Sequence, residues 1–101
     1  MNSQIEPEQI NDQGHLTIGG VDSLELAAKY QTPLVVYDVA AISHQIRAFK
    51  KVFAKNQVAA EVSYASKAFS AIAIYQVVAQ EDGHIDVVSG GELTTAIKAH
   101  F

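Results

Sequence analysis

The stretch Ser63-Tyr64-Ala65-Ser66-Lys67-Ala68 closes an alternating run that begins at Val58, and its reading decides the fold. Val58, Ala60, Val62 and Tyr64 fall on one face of an extended chain and Ala59, Glu61, Ser63 and Ala65 on the other, because strand side chains alternate with a period of two. Extended geometry carried on to Lys67 adds it to the face of small residues, where there is room for a ligand. Nineteen residues after Lys67, Asp86-Val87-Val88-Ser89-Gly90-Gly91-Glu92-Leu93 reads as a strand end, a tight glycine turn and a helix start, with Glu92 in the first helical turn. Together the two segments set one lysine and two carboxylates at the ends of neighbouring strands.

The flanking sequence supplies helices. From Val39 to about Lys55, Ile42, Ile46, Phe49 and Phe53 recur at spacings of four, three and four, which predicts an amphipathic helix with His44, Arg47 and Lys51 on its polar face. Ala71, Ile74, Tyr75 and Val78 form a second helical stripe, Ile85–Val88 a second buried strand, and Leu93, Ala96 and Ile97 a third stripe; Gly83 reads as the terminator of the second helix. Helix, strand, helix, strand, helix is the signature of an α/β fold.

Upstream, residues 1–14 read as a polar, mobile lead-in to a turn at Gly14, and His15–Ile18 as a short strand closed by Gly19-Gly20. Asp22 can cap the next helix, with Glu25 completing a capping box and Val21 against Leu26 a hydrophobic staple. Pro33 disfavours helix in the residue before it, so this helix should end near Tyr30. Leu34–Tyr37 is a continuous apolar run of the kind found in strands covered on both faces, and Asp38 ends it and caps the long helix.

Composition narrows the partners. With 49% hydrophobic residues, 18% charged and a net charge of −4, the 101-residue chain reads as soluble and globular. Seven basic residues, with only Lys50, Lys51 and Lys55 grouped on a solvated helix face, leave no footprint for nucleic acid or an anionic membrane. No cysteine is present, which excludes disulfides, thiolate metal sites and a cysteine nucleophile. The segment Met1–Asn11 lacks the apolar centre of a secretory signal, and no apolar run approaches the ~18 residues of a membrane span, so the expected location is the cytoplasm.

The chemistry is less determinate from residues alone. A lysine amine among small neighbours can form an imine with an aldehyde. By spacing alone, however, a lone lysine after a strand reads as a solvated surface residue. Asp86 and Glu92 read either as carboxylates approaching the same mouth as Lys67, or as a strand-end hydrogen-bonding residue and a favourable anion at a helix amino terminus. Ser89-Gly90-Gly91 could present backbone N–H groups to a phosphate, but the simpler reading is a tight turn. His15, His44, His84 and His100 share no metal-ligand spacing; His84 and Asp86 face one side of a strand, and two ligands do not make a metal site.

The Ser63–Ala68 segment closely resembles the cofactor-attachment site of the fold-type III pyridoxal-phosphate decarboxylases. Asp86–Leu93, with Thr32-Pro33-Leu34-Val35-Val36-Tyr37-Asp38 upstream, is similar to the diaminopimelate-decarboxylating branch of that family. The resemblance runs from about His15 to Phe101. It departs at Ser66 and at Phe69, since an asparagine often follows the family's Lys-Ala pair.

The resemblance implies a (β/α)8 barrel and pyridoxal 5'-phosphate held as an imine by Lys67. It also places Asp86 and Glu92 near the cofactor, with Asp86 among its contacts, where both could orient the imine and influence proton transfers. The implied reaction is decarboxylation of meso-diaminopimelate to L-lysine, on a small amino-acid substrate and in a homodimer. Related decarboxylases of ornithine, arginine or carboxynorspermidine share the lysine motif; a non-catalytic pyridoxal-phosphate-binding barrel protein and an inactive remnant are the readings from other classes.

A barrel of this kind takes roughly 250 residues, so the chain reads as an amino-terminal piece. Residues 1–38 are expected to be a lead-in, strand and helix associated with a separate β domain, and residues 39–101 the start of the cofactor-binding barrel. Two barrel strands cannot close a barrel, and the isolated chain is therefore expected to be marginally stable, self-associating and inactive.

Overall fold

The apolar stripe of residues 39–55 is realised as one long helix. In the computed structural model, which describes residues 9–101, the chain divides into two units, residues 1–38 and 39–101. The expectations for residues 1–8 lie outside the described residues.

In the first unit, the segment read as a loose lead-in is organised from Gln9 onward by Asn11. The Asn11 carboxamide oxygen accepts from the Gln13 and His15 amides at 3.1 and 2.9 Å, and its amide nitrogen donates to Asp22 Oδ2 at 2.8 Å. Asparagine side chains favour such local turns because they mimic a backbone turn, and this one sets a bridge between Ile10 and Leu16.

Strand β1 (Thr17–Ile18) then pairs antiparallel with β2 (Val21–Asp22), a strand the sequence reading did not anticipate. Gly19 and Gly20 have φ of 59° and 81°. A two-residue hairpin turn with positive φ at both positions matches strand twist, and glycine reaches it without strain.

Helix α1 (Ser23–Tyr30) starts at Asp22, whose carboxylate accepts from the Leu24 amide at 2.8 Å. It ends at Tyr30, where the Pro33 argument placed it. The run Leu34–Tyr37, by contrast, is not a strand: Val35 is 78% exposed and Tyr37 45%. A strand needs a ladder partner for its backbone N–H and C=O groups, and this run belongs to neither of the two sheets among the described residues.

The second unit begins with α2 (Val39–Lys55), whose stripe buries Ile46 and leaves Phe49 half exposed. The alternating run contracts to β3 (Ser63–Ala65); residues 58–62 are irregular. A one-turn 3₁₀ helix, Ser66–Ala68, follows at once, so the extended geometry expected to reach Lys67 stops at Ala65.

Helix α3 (Ile72–Gln80) crosses over to β4 (His84–Asp86), also shorter than the expected Ile85–Val88 run, and α4 (Gly90–Lys98) closes the unit. Strands β3 and β4 pair in parallel with Ser63 opposite His84, Tyr64 opposite Ile85 and Ala65 opposite Asp86. This is a mixed α/β arrangement built on one βαβ crossover.

The core lies on one face of that pair. Tyr75, Ala96 and Ala99 are buried together, with Tyr64 and Ile85 packed against them. The bulky-out, small-across alternation therefore holds for residues 62–65. The third stripe is narrower than expected: Ala96 is buried, whereas Leu93 is 52% and Ile97 66% exposed.

Helix α3 ends in a Schellman motif in which the Asp82 amide bonds Ala79 O at 3.0 Å and the Gly83 amide bonds Val78 O at 2.9 Å. The left-handed residue is Asp82, with φ of 54°, not Gly83. Gly83 is required for space, because a Cβ there would lie 2.9 Å from Val78 Cγ1.

The polar face of α2 is also less idle than its solvated reading. Arg47 holds Glu81 in a two-pronged contact, Nε to Oε2 at 2.7 Å and Nη2 to Oε1 at 2.6 Å. Lys50 Nζ donates to the carbonyls of Glu81 and Asp82 at 2.5 and 2.9 Å, placing a cation on the carboxyl end of α3, where the helix dipole favours it.

Candidate active site

Parallel pairing with Ala65 opposite Asp86 brings the carboxyl ends of β3 and β4 to one edge: Asp86 is the last residue of β4, Lys67 lies in the turn after β3, and Glu92 in the first turn of α4. Lys67 sits in the middle of the Ser66–Ala68 turn, exposed, and makes no hydrogen bond or ion pair among the described residues. The turn that carries it is braced on both sides. The carbonyl of Ser66 accepts from the Phe69 amide at 3.1 Å and from Ser70 Oγ at 2.7 Å, while Tyr64 Oη donates to the Phe69 carbonyl at 2.9 Å.

Glu92 is drawn to this turn. Ser89 caps α4, its Oγ accepting from the Glu92 amide at 3.1 Å and donating to Glu92 Oε2 at 2.8 Å. The other carboxylate oxygen, Oε1, accepts a hydrogen bond from the hydroxyl of Ser66. The Ser66 hydroxyl, followed by that of Ser89, holds the Glu92 carboxyl below its ordinary range, against an opposing effect of burial. Ser66 Oγ also lies 3.0 Å from the Asp86 carbonyl, so β4, α4 and the lysine turn converge on one hydroxyl.

The two carboxylates thus differ. Glu92 is tied to the turn of Lys67, whereas Asp86 meets it through its backbone carbonyl, and its exposed side chain forms no ion pair with Lys67. Ser66 was read from sequence only as a departure from common wording. Its role carries no one-dimensional signal, because it depends on burial (0% exposed) and on a carboxylate 26 residues away. No group of three or more histidine, cysteine or acidic residues suited to a metal occurs among the described residues, where His84 meets Glu61 at 3.3 Å instead. No helix among the described residues is long and apolar enough to cross a membrane.

An amine, a carboxylate and a hydroxyl at the mouth of a parallel pair suit imine chemistry, and the comparisons with known proteins agree. The model of the pyridoxal-dependent decarboxylase, pyridoxal binding domain, matches residues 39–101. The chain is 55% identical over 93 residues to a diaminopimelate decarboxylase of Bacillus methanolicus, covering 92% of this chain and 22% of that protein. Identity is 55% over 91 residues to the enzyme of Bacillus subtilis (strain 168), covering 90% of this chain and 21% of the relative. It is 42% over 91 residues to that of Staphylococcus aureus (strain COL), with 90% and 22% covered.

No solved structure matches the chain. The chain spans about a fifth of the length of these curated relatives. The family match covers the unit that carries the lysine turn, both parallel strands and Glu92, and by it the chain belongs to the pyridoxal-dependent decarboxylases, as part of their pyridoxal binding domain.

Proposed function

We propose that residues 1–101 belong to an enzyme that decarboxylates meso-diaminopimelate to L-lysine with pyridoxal 5'-phosphate, and that Lys67 is the lysine that anchors the cofactor. The observation that carries this is the state of Lys67: an accessible, unpaired amine on a braced turn at the carboxyl ends of parallel strands, beside an oriented carboxylate. The residues fit the group, because an aldehyde needs an amine that is not tied up in an ion pair. The relatives' printed activity supports the choice of substrate over other amino acids.

Pyridoxal phosphate, when bound, supplies the electron sink that makes loss of carbon dioxide feasible. The chain's own residues do the rest. Lys67 would hold the cofactor through its amine, which no hydrogen bond or ion pair engages among the described residues. Glu92, fixed by two hydroxyls, stays ionised at neutral pH and can accept a proton near that amine. Asp86 supplies a second negative charge at the strand end.

Residues 39–101 are read as the start of a (β/α)8 barrel, with β3 and β4 as two of its strands. Residues 1–38 are read as a segment serving a separate β domain, in a cytoplasmic homodimer that engages neither nucleic acid nor membrane.

The test is reductive trapping in the protein at the length of its relatives. Borohydride treatment with pyridoxal phosphate, then peptide mapping, should mark the peptide containing Lys67, and Lys67→Arg should abolish carbon dioxide release because guanidinium forms no imine. Label on Lys98, or scattered over surface lysines, refutes the assignment. Faster turnover of ornithine or arginine than of meso-diaminopimelate refutes the substrate.

A further inference from the structure

Ser66 is fully buried, and its one hydroxyl lies between two acceptors, Glu92 Oε1 and the Asp86 carbonyl, the latter at 3.0 Å. A serine hydroxyl carries one proton and can accept as well as donate. With Glu92 ionised, Ser66 donates to the carboxylate and the Asp86 carbonyl receives nothing from it. With Glu92 protonated on Oε1, the carboxyl donates to Ser66 Oγ, and Ser66 turns to donate to the Asp86 carbonyl, so that each group has a partner. Ser89 holds the other carboxylate oxygen, which keeps Oε1 aimed at Ser66 in both states.

We propose that Ser66 is a positioning residue whose buried hydroxyl fixes Glu92 beside the Lys67 turn and alternates between donor and acceptor as that carboxyl loses or holds a proton. The proposal deepens the reading of Lys67 as the cofactor lysine and rests on it for its catalytic meaning, though the contact itself is independent of any cofactor. It also accounts for a hydroxyl, and not an aliphatic side chain, before the lysine here: a partly buried carboxylate oxygen facing the buried Ser66 position would otherwise lose a donor. The other titratable groups on the turn, β4 and α4 are Lys67, His84, which meets Glu61 at 3.3 Å, Asp86 and Lys98, and all of them remain in place in every variant below.

The test is a carboxyl titration, in the protein at the length of its relatives labelled with 13C at glutamate Cδ, the Glu92 signal being identified by its absence in Glu92→Gln. In the parent the Glu92 midpoint should lie below the ordinary glutamate value. Ser66→Ala, which adds no bulk, should raise it; Ser66→Cys, with a weak donor of nearly the same shape, should raise it less; Ser66→Thr should restore it. A midpoint unchanged in Ser66→Ala, with α4 amide shifts in place, overturns the proposal. So does unfolding of Ser66→Ala accompanied by a parental midpoint in Ser66→Cys. Failure of Lys67 trapping refutes the cofactor assignment and leaves these midpoints as they are, so the two outcomes are distinguishable.

Discussion

Replacing Tyr75 by phenylalanine should stabilise the protein, although Tyr75 is the largest fully buried side chain. Its hydroxyl has no hydrogen-bond partner among the described residues, while its ring packs with Ala96, Ala99, Tyr64 and Ile85. An unsatisfied buried hydroxyl costs about 1–3 kcal/mol. Tyr75→Phe removes that cost and keeps the ring. The oxygen leaves a gap on the order of 10–15 Å³, which at about 24 cal/mol per Å³ returns only ~0.3 kcal/mol. A net gain of about 1 kcal/mol, at an m-value of about 1–2 kcal/mol/M, raises the urea midpoint by ~0.5–1 M. Far-UV circular dichroism at several protein concentrations measures this and separates it from association. A lower midpoint with an unchanged m-value would refute the reasoning, since it would mean that the buried hydroxyl has a partner whose loss costs more than its desolvation.

Gly83→Ala should destabilise the second unit by about 1–3 kcal/mol in the same assay, because the new Cβ would meet Val78 Cγ1 at 2.9 Å and Val78 O at 3.3 Å; a neutral result would show that the α3–β4 connection yields easily. Acid should loosen the start of α1. Asp22 is held down to a pKa of about 2, first by His15, then by the Leu24 amide and Asn11, against an opposing effect of burial. A depressed carboxylate stabilises the fold above its unfolded value near 3.8, and that contribution is lost as pH falls toward about 2. The Leu24 amide, which donates to Asp22 Oδ1, should titrate in step, and His15→Ala should move the midpoint upward. A Leu24 midpoint at the ordinary aspartate value would remove Asp22 as the cap.

The sequence by itself determined what depends on near neighbours. The four, three, four spacing from Ile42 to Phe53 suffices for α2, because one apolar stripe per 3.6 residues needs only its own helix. Asp22 as a cap and Tyr30 as an end follow from a side-chain oxygen and a proline ring acting within three residues. The alternation of residues 62–65 likewise survives into β3, and Lys67 is marked by its local motif alone.

Tertiary structure decided whatever rests on a distant partner. Leu34–Tyr37 has the composition of a strand but joins neither sheet among the described residues. Leu93 and Ile97 continue a helical stripe, yet only Ala96 of it meets the core, since burial depends on what stands opposite. Lys50 lies on a polar helix face, and only the approach of α3 turns it into a cap on the carbonyls of Glu81 and Asp82. Ser66 shows the limit most plainly: nothing local distinguishes it from a surface serine. Its meaning comes from β4 and α4 folding over it, which excludes water and leaves one proton to serve a carboxylate and a carbonyl.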